Sequence, residues 1–568
     1  MRGLPLDSNA RPSWALSRIL RLFPVVLLLA AGFLLTSRSE FFAERVSSRD
    51  FFKLPVTCPA QSPAISPLLP FAPVDADYPS TAAVRLSGAI RVRTETFDAS
   101  SSNGSDPSYD KFGDFEGYLR KTYPTMFHFF LQVRGAVDTI NSFKSLKLEH
   151  IASHGLLFTW QGSDASLSPI ILMAHQDTVP VPENTVERWT HPPFEGHFDE
   201  NGWIWGRGGG DCKNLLIGEL SAVDELLRIG FKPQRTVLLS FGFDEEGGRV
   251  RSASHLSAHV ESIYGKDSVL FIIDEGEGIK EDYFGRTFIT PALGEKGSAN
   301  IEVTVAVPGG HSSVPPVHTG IGILSELVTT IENHPFYPKL STKNPFSAYA
   351  QCLAEHSDID PALKKALSHE RTWDKAAAMM AAKNAGDGAR LMTTQAVDII
   401  HGGVKVNALP EQATAIVNHR ISVDSSVKEI QQRYLELLNP VAHRFNLTVV
   451  DFDSDVPETA TRYLKLSTPY GSEASPVSPY SGSAWDIFSG TARHLWGEDA
   501  IIAPLLMNGG TDTRAFQNLS RAIYRFEPLR STDKYDIHTV NERIHIDGHL
   551  NTIRWVFALI QNADAFRE

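Results

Sequence analysis

A chain of 568 residues is too long for one compact core, so two or three folded units are expected. Hydrophobic residues at 42% and charged residues at 21% exclude a disordered or fibrous protein. A formal charge of -13 without a concentrated basic stripe argues against nucleic acid as a partner. The three cysteines, Cys58, Cys212 and Cys352, are too few and too scattered for a zinc-thiolate cluster; they allow one bridge, whose pairing the sequence leaves open.

The N-terminus carries the apolar run LFPVVLLLAAGFLL from Leu22 to Leu35, behind Arg2, Arg11, Arg18 and Arg21 and a single acid, Asp7. Sixteen residues separate Arg21 from Arg38, slightly fewer than the roughly 20 of a spanning helix, and both arginines can snorkel to headgroups. The expectation is a cytosolic tail at 1–21 and a membrane anchor at 22–37, with a cleaved signal peptide as the competing reading. Either way the positive-inside rule puts the remainder in a lumen or outside the cell. Acceptor patterns for N-glycosylation at Asn103, Asn446 and Asn518 agree with that placement. Residues 38–111, with CPAQSPAISPLLPFAP and DASSSNGSDPS, have neither helical nor strand periodicity and are expected to form a stem.

From 112 to 295 the pattern predicts the first part of a catalytic domain. Continuous apolar runs precede His175 (IILMA), Asp244 (TVLLSFGF) and Asp274 (VLFII), as in strands buried on both faces. A helical pattern with Leu215, Leu216, Leu220, Val223, Leu226 and Leu227 lies between the first two, stopped by Gly230. Asn201-Gly202 signals a two-residue hairpin before the loop GRGGGD. The predicted fold is α/β, a mixed and mostly parallel sheet flanked by helices. An α+β lid is expected to be inserted at 296–478, with an alternating strand ANIEVTVAV, helices over 320–332 and 427–445, and strands near 413–417 and 447–452. The Pro/Ser-rich stretch Ser467–Ser483 is read as a return linker. Residues 479–568 complete the catalytic domain, ending in a helix with Asp547 as N-cap.

Each buried strand thus ends in an acidic or imidazole cluster: His175-Gln176-Asp177, Asp244-Glu245-Glu246 and Asp274-Glu275. In open α/β sheets, ligands sit beyond the carboxyl ends of the strands, so these clusters can converge. His175 and Asp177 share one side of an extended chain, letting the carboxylate hold the imidazole in its metal-binding tautomer. Asp211 follows a glycine run that admits a carboxylate into a tight space, where its two oxygens can bridge two metals. Of the adjacent Glu245 and Glu246, one can bind metal while the other faces its water. The glycine loop lacks a P-loop ending, and no Gly-x-Ser-x-Gly elbow is present.

The segments AHQDTVPV, W-x-x-x-PF-x-G from Trp189 to Gly196, GRGGGDCK, FDEEGG, IIDEG and GGHSS resemble, in order and spacing, the zinc metallopeptidase family that includes carboxypeptidase S, aminoacylase-1 and glutamate carboxypeptidase. Within it the chain is most similar to fungal carboxypeptidase S, the Gly-X carboxypeptidases, and to relatives acting on N-acyl amino acids. The resemblance implies two zinc ions per subunit, one on His175, Asp211 and Asp274, the other on Asp211, Glu246 and His538. It implies Glu245 as general base and Asp177 as the group orienting His175. For substrate it implies His311 at the carbonyl, reaching across a lid-mediated homodimer, with Arg420 and the backbone at Gly510 holding a free carboxylate.

The expected activity is hydrolysis of the C-terminal peptide bond of short Gly-X peptides. The alternatives are an N-acyl-amino-acid hydrolase or synthase and, in another class, an inactive binding protein of the same fold. The expected location is a single-pass membrane protein with its catalytic domain in a vacuole- or lysosome-like lumen, with secretion as the alternative.

Overall fold

The structure is a computed structural model that describes residues 56–97, 107–127, 146–248 and 251–567. The expected anchor at 22–37, its cytosolic tail and Asn103 lie outside the described residues; among the described ones no helix is long and apolar enough to cross a membrane.

Ile170, Leu172 and Ala174 pack into one apolar cluster, while Ile171 and Met173 pack into another on the opposite face. Successive side chains of a strand point to opposite faces, so a strand covered by helices on both sides must be apolar throughout. That is why IILMA, TVLLSFG and VLFII read as unbroken runs. Ile170–His175 pairs in parallel with Val237–Gly242 and with Phe271–Tyr283, and the latter pairs in parallel with Ile523–Arg530. Antiparallel strands Lys147–Ile151 and Gly155–Trp160 close one edge of this ten-stranded sheet. Its order places His175 and Asp274 on neighbouring strands.

The helix Lys213–Arg228 covers one face, and its C-terminal Gly230 takes φ 75°, the left-handed conformation that ends a helix. The final helix runs from Ile546 to Ala565; His545, rather than Asp547, caps it, its imidazole accepting from the Asp547 N–H. The hairpin around Asn201-Gly202 forms but closes over a longer connection than two residues: Asp199 N–H donates to Trp203 O, and Gly202 has φ 85°.

The second sheet has five strands, ordered Thr394–Gly402, Gln412–Ile421, Gly297–Ala306, Tyr463–Ser472 and Thr448–Val450. The helices Gly320–Glu332 and Val427–Arg444 share its core with Ile301, Val303 and Val305. The first third of the expected return linker is therefore strand: Tyr463–Ser472 pairs along Gly297–Ala306, its backbone drawn into the ladder despite the Ser and Pro content. The stretch 344–394 is mainly helical.

The expected stem differs most. Residues 57–97 fold onto the catalytic unit, and Tyr78–Arg91 is a helix whose Ala82, Ala83, Leu86, Ala89 and Ile90 lie in the main core. The Pro-rich strand-less segment before it is strapped down by side chains: Gln61 exchanges hydrogen bonds with the backbone of Ile502, and Asn562 donates to Ile65 O. A disulfide joins Cys58 to Cys352 on the helix Phe346–His356, leaving Cys212 free and buried.

Candidate metal centre

His175 is the last residue of its strand, and Asp211 lies just before the helix that begins at Lys213. The loop between them and the sheet is held by Glu542, whose Oε1 accepts from the N–H groups of Gly208 and Gly210 at 3.0 Å and of Asp211 at 3.3 Å. Its other oxygen pairs with Arg207. At Gly210 a Cβ would stand 2.4 Å from Ile537 Cδ1, so any larger residue would oblige that side chain to shift.

Asp211 sits between two imidazoles: Oδ1 is 3.1 Å from His175 Nε2 and Oδ2 is 3.1 Å from His538 Nε2. His538 Nε2 also lies 2.8 Å from Glu246 Oε1. His538, with its neighbours Asp536 and Asn541, has a positive φ of 60–70°, a strained backbone for residues with a Cβ. His175 Nδ1 faces Asp177, 2.9 Å from its carbonyl oxygen and 3.3 Å from Oδ1. The same carboxylate accepts from the N–H groups of Glu245 and Glu246. His175, Glu245 and Glu246 present ligand atoms within 4.8 Å of one another, as do Asp211, Glu246 and His538.

One expected ligand is placed otherwise. Asp274 belongs to no such group; Glu275 does, with Oε1 3.6 Å from His175 Nε2. Adjacent strand residues face opposite sides, so only one of the pair turns toward His175. Asp274 is buried: Oδ1 accepts from the Glu275 N–H, and Oδ2 has no hydrogen-bond partner. Asp244 is also spent elsewhere, accepting from the N–H groups of Arg251 and Ser252 ahead of a helix.

Electrostatics set these acids apart. Burial pushes Asp274 well above the usual carboxylate range, reinforced by Glu275 and Asp512. Burial also raises Glu246, whereas Asp211, though buried, is held well below its ordinary value by hydrogen bonds from His175 and His538. The hydrogen bonds to Asp211 and Glu246 push His538 up to about 10. Asp211, Glu245, Glu246 and Glu275 thus gather around two imidazoles, and one oxygen of the adjacent Asp274 is buried without a hydrogen-bond partner. Cys212 Sγ shares the group of His175 and Glu275, but burial raises its thiol well above the ordinary range, so the remaining imidazole and carboxylate donors form an oxygen-rich set that fits divalent cations such as zinc.

The expected substrate residues lie elsewhere. Arg420 stands opposite Ser298 in the lid sheet, and Ser298 is also opposite Ser472, which accepts from Arg514 of the loop NGGTDTR. Gly510 is buried in that loop, whose next residue, Thr511, donates to Glu295. Arg420 and Gly510 therefore flank the junction of the two sheets. His311 is not there. It follows the far end of the strand Gly297–Ala306, on the order of 27 Å further at ~3.4 Å per residue, and its Nδ1 accepts from Ser313. Asn446 and Asn518 are exposed.

Two contributors were assigned no role from the sequence, Glu542 and Glu275, although Glu275 stands in the acidic strand end with Asp274. Glu542 was visible as the acid closing YDIHTVNE, but its partners are more than 300 residues away. A cleft of about 350 Å³ opens beside His538, walled by Val179, Pro180, Pro182, Trp189 and Val540. The exposed Arg188 also lines it.

Residues 171–562 match the model of peptidase family M20/M25/M40. Carboxypeptidase S of Saccharomyces cerevisiae is 36% identical over 597 residues, covering 100% of both chains. The human N-fatty-acyl-amino acid synthase/hydrolase PM20D1 is 33% identical over 85% of this chain and 88% of its own. Among solved structures, human carnosine dipeptidase 1 superposes with a TM-score of 0.59 at 11% identity, covering 86% of this chain and 97% of that one. An M20 family metallo-carboxypeptidase from Sulfolobus solfataricus gives 0.55 at 18% identity, over 85% and 99%. The motifs, the fold and these likenesses agree: this is a metal-dependent hydrolase of peptide bonds, and the chain belongs to peptidase family M20/M25/M40.

Proposed function

We propose that the chain is a di-zinc carboxypeptidase that removes the C-terminal residue from short peptides of the Gly-X kind. The observation that carries this reading is Asp211, whose two oxygens each meet a different imidazole at 3.1 Å. His175 and Asp211, with an acid of the Asp274-Glu275 pair, would hold one ion; Asp211, Glu246 and His538 would hold the other. When bound, the ions would acidify a shared water and polarise the scissile carbonyl.

Glu245, 6% exposed and grouped with His175 and Glu246, takes the proton from the attacking water and passes it to the leaving amine. Asp177 keeps the His175 ring turned so that Nε2 faces Asp211. Arg420 and the Gly510 loop, at the junction of the sheets, hold the substrate carboxylate through a planar fork and backbone donors. His311 reaches the carbonyl from a second copy of the chain, since its own strand carries it away from this junction.

Glu245→Gln tests the mechanism. Metal content stays at the wild-type level while turnover falls by about 10²–10⁴. Near-normal turnover would rule Glu245 out as base.

The cleft beside His538, walled in part by Val179, Pro180, Pro182, Trp189 and Val540, and the N-fatty-acyl relatives favour a second reading, in which the same site cleaves or forms N-acyl amino acids. Rates on a blocked Gly-Leu dipeptide and on N-acyl amino acids separate the two, and much faster turnover of the acyl substrate would displace the peptidase reading.

The basic-flanked apolar run at 22–37 supports a membrane anchor with the catalytic unit in a vacuole-like lumen. So do the Cys58–Cys352 bridge and the exposed Asn446 and Asn518. A mobility shift on endoglycosidase treatment is the expected sign.

A further inference from the structure

The segment 92–97, which follows the helix Tyr78–Arg91, runs beside the loop that leaves His175. Thr96 N–H donates to Thr178 O at 3.0 Å, Thr178 N–H donates to Thr94 O at 3.1 Å, and Glu95 and Thr178 form a parallel bridge. This pairing delivers the Thr96 hydroxyl to Asp177 Oδ2 at 2.7 Å. The same oxygen accepts from the Glu246 N–H at 3.0 Å, while Oδ1 accepts from the Glu245 N–H at 3.2 Å and faces His175 Nδ1 at 3.3 Å. One carboxylate therefore ties together the imidazole, the peptide of the proposed base and the N-terminal segment. Thr96 is 2% exposed and Asp177 0%, so water has no room to replace the hydroxyl.

We propose that Thr96 is a positioning residue of the metal centre. Its hydroxyl, with the Glu246 amide, anchors Oδ2 and fixes the rotation of the Asp177 carboxylate. Oδ1 then stays on the His175 ring, and Nε2 stays directed at Asp211. The inference rests on the reading of His175 as a metal ligand. It makes the segment before residue 98 part of the site rather than a tether.

The test uses the full-length chain, stripped of metal, with zinc dissociation constants measured by chelator competition beside steady-state kinetics. Thr96→Val keeps the shape and removes the donor; zinc binding weakens about 10–100-fold, and kcat falls with KM nearly unchanged. Thr96→Ser restores wild-type affinity. Thr94→Val removes a neighbouring hydroxyl whose 2.7 Å bond goes to the backbone oxygen of Gln176; it lowers the melting temperature and keeps the affinity. Thr96→Val binding zinc as tightly as wild type, or Thr94→Val weakening it equally, overturns the inference. If Thr96→Val does not fold, Thr96→Ala against Thr96→Ser isolates the hydroxyl, and equal affinities there overturn it. Wild-type protein that takes up no zinc would instead sink the metal-centre reading itself.

Discussion

Asp274 and Glu275 leave the same strand one residue apart, yet one faces His175 and the other is enclosed with an unpartnered oxygen. A buried carboxylate without full hydrogen bonding costs stability unless a cation compensates it. Asp274→Asn removes a carboxyl group whose ionised form burial and the neighbouring acids Glu275 and Asp512 disfavour. The metal-free protein is expected to gain about 1–3 kcal/mol, read as a higher unfolding midpoint in chelator. Glu542 has the opposite role, since one of its oxygens gathers three loop amides and the other neutralises the buried Arg207. Glu542→Gln strands that guanidinium and is expected to cost about 3–5 kcal/mol in denaturant unfolding. Most of the ligand-type residues were legible because they end an apolar strand or follow a glycine run, whereas His538 was legible only through the family resemblance. Which oxygen points where was not, since that depends on neighbours distant in sequence.

At the scale of elements, the helix Tyr78–Arg91 was hidden by its own composition. YPSTAAVRLSGAIR is rich in small residues, and the Pro-rich stretch before it resembles a linker. Small side chains are what a helix needs to lie close against another, and Ala82, Ala83 and Ala89 are fully buried. At its C-terminal end the Lys213 ammonium donates to Ala89 O at 3.0 Å and Val92 O at 2.7 Å; burial lowers this lysine to about 7. A chain beginning at Thr57 keeps this element and is expected to remain soluble and cooperative. One beginning at Asp98 exposes the apolar face against which the helix packs and is expected to aggregate. Expression yield and calorimetry of the two truncations distinguish the outcomes. The helices Gly320–Glu332 and Val427–Arg444 were legible because their apolar periodicity is local and strong.

For the whole molecule, two fully buried histidines govern acid stability. Burial lowers His549 to about 3 and His419 to about 4, against an ordinary value of 6.5. His549 Nδ1 meets Asn214 Oδ1 at 2.7 Å, and His419 lies between Thr394 O and the Tyr434 hydroxyl. Below 6.5 the unfolded chain takes up protons that the folded chain refuses, so stability is complete above that value and is lost as pH falls toward 4 and 3. Each is expected to cost about 2 kcal/mol near pH 5. His549→Gln and His419→Gln should flatten the acid limb of a stability–pH curve, and an unchanged limb would show that other groups carry it.

The sequence by itself determined what is local: the buried strands, the strong helices, the acidic strand ends and the motifs of a metallopeptidase. Those signals depend on periodicity and on residues a few positions apart. The resemblance already put His538 with Glu246, 292 residues apart; only the tertiary structure decided that Tyr78–Arg91 of the expected stem is a core helix, that Thr96 reaches Asp177, and that Glu275 rather than Asp274 faces His175. Each of these depends on which distant surfaces bury one another, and no local pattern encodes that pairing.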